Sequence, residues 1–290
     1  MKFVSAFALL AFASPAMALD FAPQATQKAE VKVTPKAPEK GVVLDMDGTL
    51  LFRGEVDDET VSKAIFKLNT IKSDTVTIFI DSPGGSIIAG TALLQAIAAS
   101  NKKIRCVASF AASMAFITLQ ACPERIVMSN SIAMQHVATV GLGAMQIPNL
   151  TSFFNLWTRY VGMLEDATSK RMKLTVDKYR DLVRNDLWLI GGESVKANVA
   201  DRVENVVCSP EMYAKTFWEE VKVFIWTINL EWSYCPLITY PLTVKLPDVS
   251  GGKGGSERAQ IELNTRVNNM LFNYKTNRDY IIELNSPKFK

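Results

Sequence analysis

Ser113, His136 and the pair Gly84-Gly85 are the residues of this chain whose types and settings suit covalent chemistry. A serine hydroxyl is a weak nucleophile until a neighbouring base takes its proton, and neutral imidazole does this near neutral pH. His136 is the single histidine in 290 residues. Hydrolysis through serine also needs a carboxylate to fix the ring and N–H groups to hold the oxyanion. Ser113-Met114 opens an apolar run of helical character, where free backbone N–H groups and the positive end of the helix dipole coincide. Gly84-Gly85, after Pro83, lets backbone approach a substrate with no side chain in the way.

The neighbouring elements must position these groups. Val76 to Ile80 reads as a strand that breaks at Asp81-Ser82-Pro83-Gly84-Gly85-Ser86, and a small-residue helix follows from Ile87 to Ser100. A second strand, Ile104 to Ala108, delivers Ser113. A third, centred on Arg125 to Met128, leads to His136. Upstream, Glu55 to Lys72 reads as an amphipathic helix with Val61, Ile65 and Leu68 on one face. Downstream, Asn149 to Lys173 carries Phe153, Trp157, Tyr160 and Leu164 at helical spacing. Thr175 to Arg184 is a further helix with Thr175 as N-cap, followed by a strand from Arg202 to Val207. Strand–helix alternation with right-handed crossovers predicts a mainly parallel sheet in an α/β fold.

Ser82-Pro83-Gly84-Gly85-Ser86, Ala111-Ala112-Ser113-Met114 and Met134-Gln135-His136 resemble, in order and spacing, the motifs of the Clp protease proteolytic subunit family. The resemblance covers residues 54–207. It implies a spiral of β-β-α units, shared with crotonase-type enzymes, with a projecting helix and here a C-terminal extension. It implies Ser113 as nucleophile, His136 as general base, and the N–H groups of Gly85 and Met114 as oxyanion hole, with Gly84 and Ser86 in substrate binding. Asp186, which precedes Glu193 and Asp201 at the family's offsets, becomes the third catalytic member. A homo-oligomer is implied as well. Phe110 and Ala115 depart from the small or glycine positions of the family beside Ser113.

Two other readings use other features. The same fold could serve as a catalytically silent binding module. Gly41 to Leu50, an apolar strand before Asp45-Met46-Asp47-Gly48-Thr49, resembles the first motif of haloacid-dehalogenase-type phosphatases, with Asp45 attacking phosphorus. No partner acidic pair follows a later strand, and a β-hairpin turning at Asp47-Gly48 is the reading preferred.

The ends of the chain have their own characters. Lys2, the apolar run from Phe3 to Ala13 and Ala16-Met17-Ala18 read as a signal peptide over residues 1–18, which predicts an exported, periplasmic or secreted protein. No stretch reaches the ~20 apolar residues of a membrane span. Residues 19–40 read as a flexible tether, 41–207 as the peptidase domain, and 208–290 as an extension without a catalytic motif. In that extension β-type alternation at Val221, Val223 and Ile225 precedes helical spacing at Ile261, Val267 and Leu271. Export allows disulfides, with Cys106–Cys122 and Cys208–Cys235 preferred among three pairings and unpaired buried thiols as the alternative. A net charge of +3 is too small to point to nucleic acid, and no metal cluster or cofactor motif is visible. With no ATP supply outside the cytoplasm, the substrate expected is a peptide or unfolded polypeptide, taken without an ATP-driven unfoldase.

Overall fold

Alternation along the central strands decides the layers. Ile78 and Ile80 point to one face and Phe79 to the other, as period-two backbone requires, and each face meets a different core. A computed structural model describes residues 41–141, 149–223, 225–248 and 257–269, all within one compact unit. The predicted signal peptide, the tether and Leu271 lie outside the described residues.

The strands are β1 (Val42–Leu44), β2 (Thr49–Val56), β3 (Thr75–Gly85), β4 (Lys103–Ala112), β5 (Glu124–Gln135) and β6 (Leu187–Ile190). Five of them, β2-β3-β4-β5-β6, run side by side, parallel except for the antiparallel β5–β6 edge. Short β7 (Arg202–Val203) pairs with β5, and β8 (Val206–Cys208) pairs in parallel with β1 as a separate ribbon. The crossovers are α1 (Asp58–Thr70), α2 (Ile87–Ala99) and α3 (Met114–Ala121). All three pack on the Ile78/Ile80 face with Leu68, Leu93 and Phe116 buried. The opposite face, with Phe79, Val107 and Ile126, is covered by Val42, Leu44 and Cys208 of the β1–β8 ribbon.

Caps explain several boundaries. Asp57 accepts the N–H of Thr60 at the head of α1, and Ser86 accepts that of Ala89 at the head of α2. The expected N-cap at Thr175 is present on α5 (Val176–Val183), where it accepts from Lys178. Helix α4 (Leu150–Arg171) precedes it, and α6 (Gly192–Lys196) and α7 (Pro210–Ala214) follow β6 and β8.

Two expectations are corrected. The Ser82-Pro83-Gly84-Gly85 segment does not break its strand. β3 runs on to Gly85 because β2 and β4 both extend alongside it, with an irregularity absorbing the mismatch at Asp81. The preferred hairpin at Asp47-Gly48 is not formed either. Asp45 Oδ1 accepts the N–H groups of Asp47 and Gly48 in a tight turn, but β1 and β2 then leave for different sheets.

The extension belongs to the same unit. β9 (Thr216–Val223), β10 (Trp226–Ser233) and β11 (Thr243–Lys245) form an antiparallel sheet whose Ile228 and Leu230 pack against Leu263 and Val267 of the helix at 257–269. Ile261 faces away from this core and is exposed. Both preferred disulfides are present: Cys106–Cys122 spans α3, and Cys208–Cys235 ties the extension to β8.

Candidate active site

Parallel pairing of β4 with β5 brings the carboxyl ends of both strands together, Ala112 opposite Met134. The residue that follows β4 is Ser113, whose N–H donates to Met134 O at 2.9 Å. Two residues beyond Met134 stands His136. Its Nε2 and Ser113 Oγ are 2.9 Å apart, within hydrogen-bond distance. Residues far apart in the chain therefore meet because of sheet register.

Ser113 holds an unusual backbone. Its φ of 53° and ψ of −119° belong to a region that only glycine enters freely. The strand must turn sharply into α3, and this geometry lifts the hydroxyl out of the sheet onto the head of the helix. No side chain caps α3, so Met114 N–H opens that helix beside the Ser113 hydroxyl. Gly84 is the counterpart across the turn. A Cβ there would stand 2.5 Å from Ala112 O and 2.6 Å from Ser113 Cβ, so glycine is required by contact as well as by its φ of +90°. Gly85 (φ +144°) is exposed and lies on the wall of the same cavity. Ser86 is occupied otherwise: its Oγ caps α2 and its N–H donates to Val56 O.

Asp186 stands at the start of β6 with φ 58°, partly buried. The β5–β6 ladder ends at Gln135 opposite Leu187, so the next pair in antiparallel register is His136 with Asp186. Asp186 and His136 are thus the residues just beyond the last ladder pair, and no hydrogen bond joins their side chains. Asp45 and Asp47 are far from this arrangement in the fold, on the connection between the two sheets. Among the described residues no group of three or more His, Cys, Asp or Glu could hold a metal ion.

A cavity of about 230 Å³ opens from Ser113 and His136. Gly85 and Met114 border it, Ile87, Ile117, Val161 and Leu164 give it apolar walls, and Gln135, Glu165 and Tyr179 add polar groups. Burial pushes the Tyr179 phenol up to about 12, so it remains neutral, and its oxygen accepts from Gln135 Nε2 at 3.1 Å. None of these three polar residues is legible as a site residue in the sequence. Gln135 merely adjoins His136, and Glu165 and Tyr179 sit on different helices with no spacing that links them.

The family model described as Clp protease matches residues 41–206. The chain belongs to the Clp protease family. Its relatives include ATP-dependent Clp protease proteolytic subunit 3 of Rhodococcus jostii (strain RHA1), 27% identical over 163 residues, or 53% of this chain and 80% of that one. Subunit 4 of Streptomyces avermitilis is 23% identical over 162 residues, 53% of this chain and 72% of its own length. Family membership makes this a peptidase-type chain of mixed α/β fold. The matched segment ends at β8, so the sheet β9–β11 and the helix at 257–269 are additions to the family's core.

Proposed function

We propose that this chain is a serine endopeptidase acting on peptides or unfolded polypeptides. The observation that carries the reading is the 2.9 Å contact between Ser113 Oγ and His136 Nε2 at the mouth of a cavity. Ser113 Oγ attacks the scissile carbonyl carbon while His136 Nε2 takes its proton. The resulting oxyanion is held by the N–H groups of Met114, at the positive end of α3, and Gly85. His136 then gives the proton to the leaving amine, and water, deprotonated by the same nitrogen, releases the acyl group. Asp186 supports the imidazolium. It lies directly beyond the last β5–β6 pair, as His136 does on the neighbouring strand, and catalytic contacts commonly tighten only when substrate is bound.

In this reading the protein is exported and works as a homo-oligomer without an ATP-driven unfoldase. Two disulfides favour an oxidising compartment, and the apolar amino terminus ending in Ala16-Met17-Ala18 supports export. The relatives' own names call them ATP-dependent, so the proposal separates this chain from them in energy source.

A fluorophosphonate probe tests the chemistry. Labelling of Ser113, lost in Ser113→Ala and reduced by at least about a hundredfold in His136→Ala, is the expected result. A folded wild-type protein that takes up no label is instead a silent member of the family, and the catalytic reading fails.

A further inference from the structure

The cavity beside Ser113 has apolar walls but a floor of acceptors. Glu165, on α4, receives both Nε and Nη2 of Arg180, from α5, on one oxygen, Oε2. Its other oxygen, Oε1, has no partner among the described residues. Gln135 spends Nε2 on Tyr179, and its Oε1 is buried without a hydrogen bond. Gln135 is itself 5% exposed and the Glu165 side chain 19%, whereas the Arg180 side chain, at 49%, stands on the solvent side. A buried acceptor without a donor costs stability, so a cavity lined by Gln135 and by the open carboxylate oxygen of Glu165 is matched by a ligand that brings N–H groups.

Resting on the serine-peptidase reading above, we propose that this cavity is the pocket for the substrate side chain on the acyl side of the cut bond, and that it selects lysine or arginine. The aliphatic stem of such a side chain packs along Ile87, Ile117 and Leu164, and its charged head reaches Glu165 and Gln135. Charge-assisted bonds to a half-buried carboxylate are the strongest contacts such a pocket can offer. An acidic side chain is repelled by the Glu165 carboxylate, and an apolar one leaves its open oxygen unpaired.

The test uses the full-length protein, the fluorophosphonate probe and internally quenched peptides that differ only at the residue before the cut, carrying lysine, arginine, leucine, phenylalanine or glutamate. The wild type is expected to cut the lysine and arginine peptides with kcat/KM about tenfold or more above leucine, and the glutamate peptide least. Glu165→Gln is expected to lower the lysine-to-leucine ratio about tenfold, chiefly through KM. Arg180→Met, which removes the cation from Glu165, is expected to raise that ratio. A merely structural role for the ion pair joining α4 to α5 would move both variants the same way, and that outcome overturns the proposal. Probe labelling with leucine or phenylalanine preferred, or with a ratio unmoved by Glu165→Gln, overturns it while the peptidase reading stands. Absence of both labelling and cleavage removes the peptidase reading and this proposal together.

Discussion

At the scale of single residues, Ser113 trades stability for geometry. Its backbone angles cost on the order of 1–3 kcal/mol in a residue with a side chain, and glycine would adopt them without that penalty. Ser113→Gly is therefore expected to abolish probe labelling while raising the melting temperature by a few degrees, about 2–4 °C per kcal/mol for a domain of this size. A fall in melting temperature would mean that the hydroxyl's bond to His136 outweighs the strain. Gly84 is the opposite case. A Cβ there collides with backbone on both sides of Ser113, so Gly84→Ala is expected to cost about 3 kcal/mol or more in chemical denaturation and to displace the turn at Ser113. Asp186→Asn keeps size and register but removes the charge that would steady the imidazolium. A large loss of turnover with unchanged melting temperature is expected, and unchanged turnover would exclude Asp186 from the triad.

At the scale of elements, β5 and α3 are fixed relative to each other at the start of the strand and the end of the helix. Buried Arg125, at the start of β5, donates to both oxygens of Asp201, to Gln120 Oε1 at the end of α3, and to Asn198 O. Arg171, at the end of α4, donates to Gln120 O and Cys122 O, filling carbonyls that α3 leaves open. Burial opposes charge on Asp201, but the hydrogen bonds and charge of Arg125 outweigh it and hold the carboxyl below its ordinary value of 3.8. A depressed carboxyl contributes stability that is full above pH 3.8 and is lost as pH falls through the lower folded-state value. Asp201→Asn is thus expected to be less stable than wild type at pH 7 and to show a shallower loss of melting temperature below about pH 4. The Cys106–Cys122 bridge closes the loop that carries Ser113. By the chain-entropy argument, Cys106→Ala with Cys122→Ala should cost about 3 kcal/mol in urea unfolding.

At the scale of the whole molecule, α4 stands out. Only its last turns are buried, at Thr168 and Ser169. Phe154, Leu156 and Met163 are exposed beside an edge-to-face series of Phe153, Trp157 and Tyr160. An apolar projection of this kind is stable in water when another surface covers it. Leu156→Glu is expected to shift the particle mass in light scattering toward the monomer while leaving the far-ultraviolet circular dichroism spectrum intact. An unchanged mass would place the assembly contacts elsewhere, for instance on β9, whose Phe217 and Trp218 are also exposed.

The sequence by itself determined the order of parts: which serine, which imidazole, which glycines, and the strand–helix alternation that carries them. The alternation is legible because period-two and period-3.6 patterning is local, and the serine, imidazole and glycines because their motifs resemble a known family's in order and spacing. It also favoured both disulfide pairs, which follow the chain order of the cysteines. Patterning could not reveal that Ser82 to Gly85 continues a strand, or that Asp47-Gly48 joins two sheets, because partner strands decide both. The cavity floor is the clearest case. Gln135, Glu165 and Tyr179 come from three elements and meet only once β5, α4 and α5 pack. No spacing along the chain encodes their proximity, and the three-dimensional packing alone turns them into one surface.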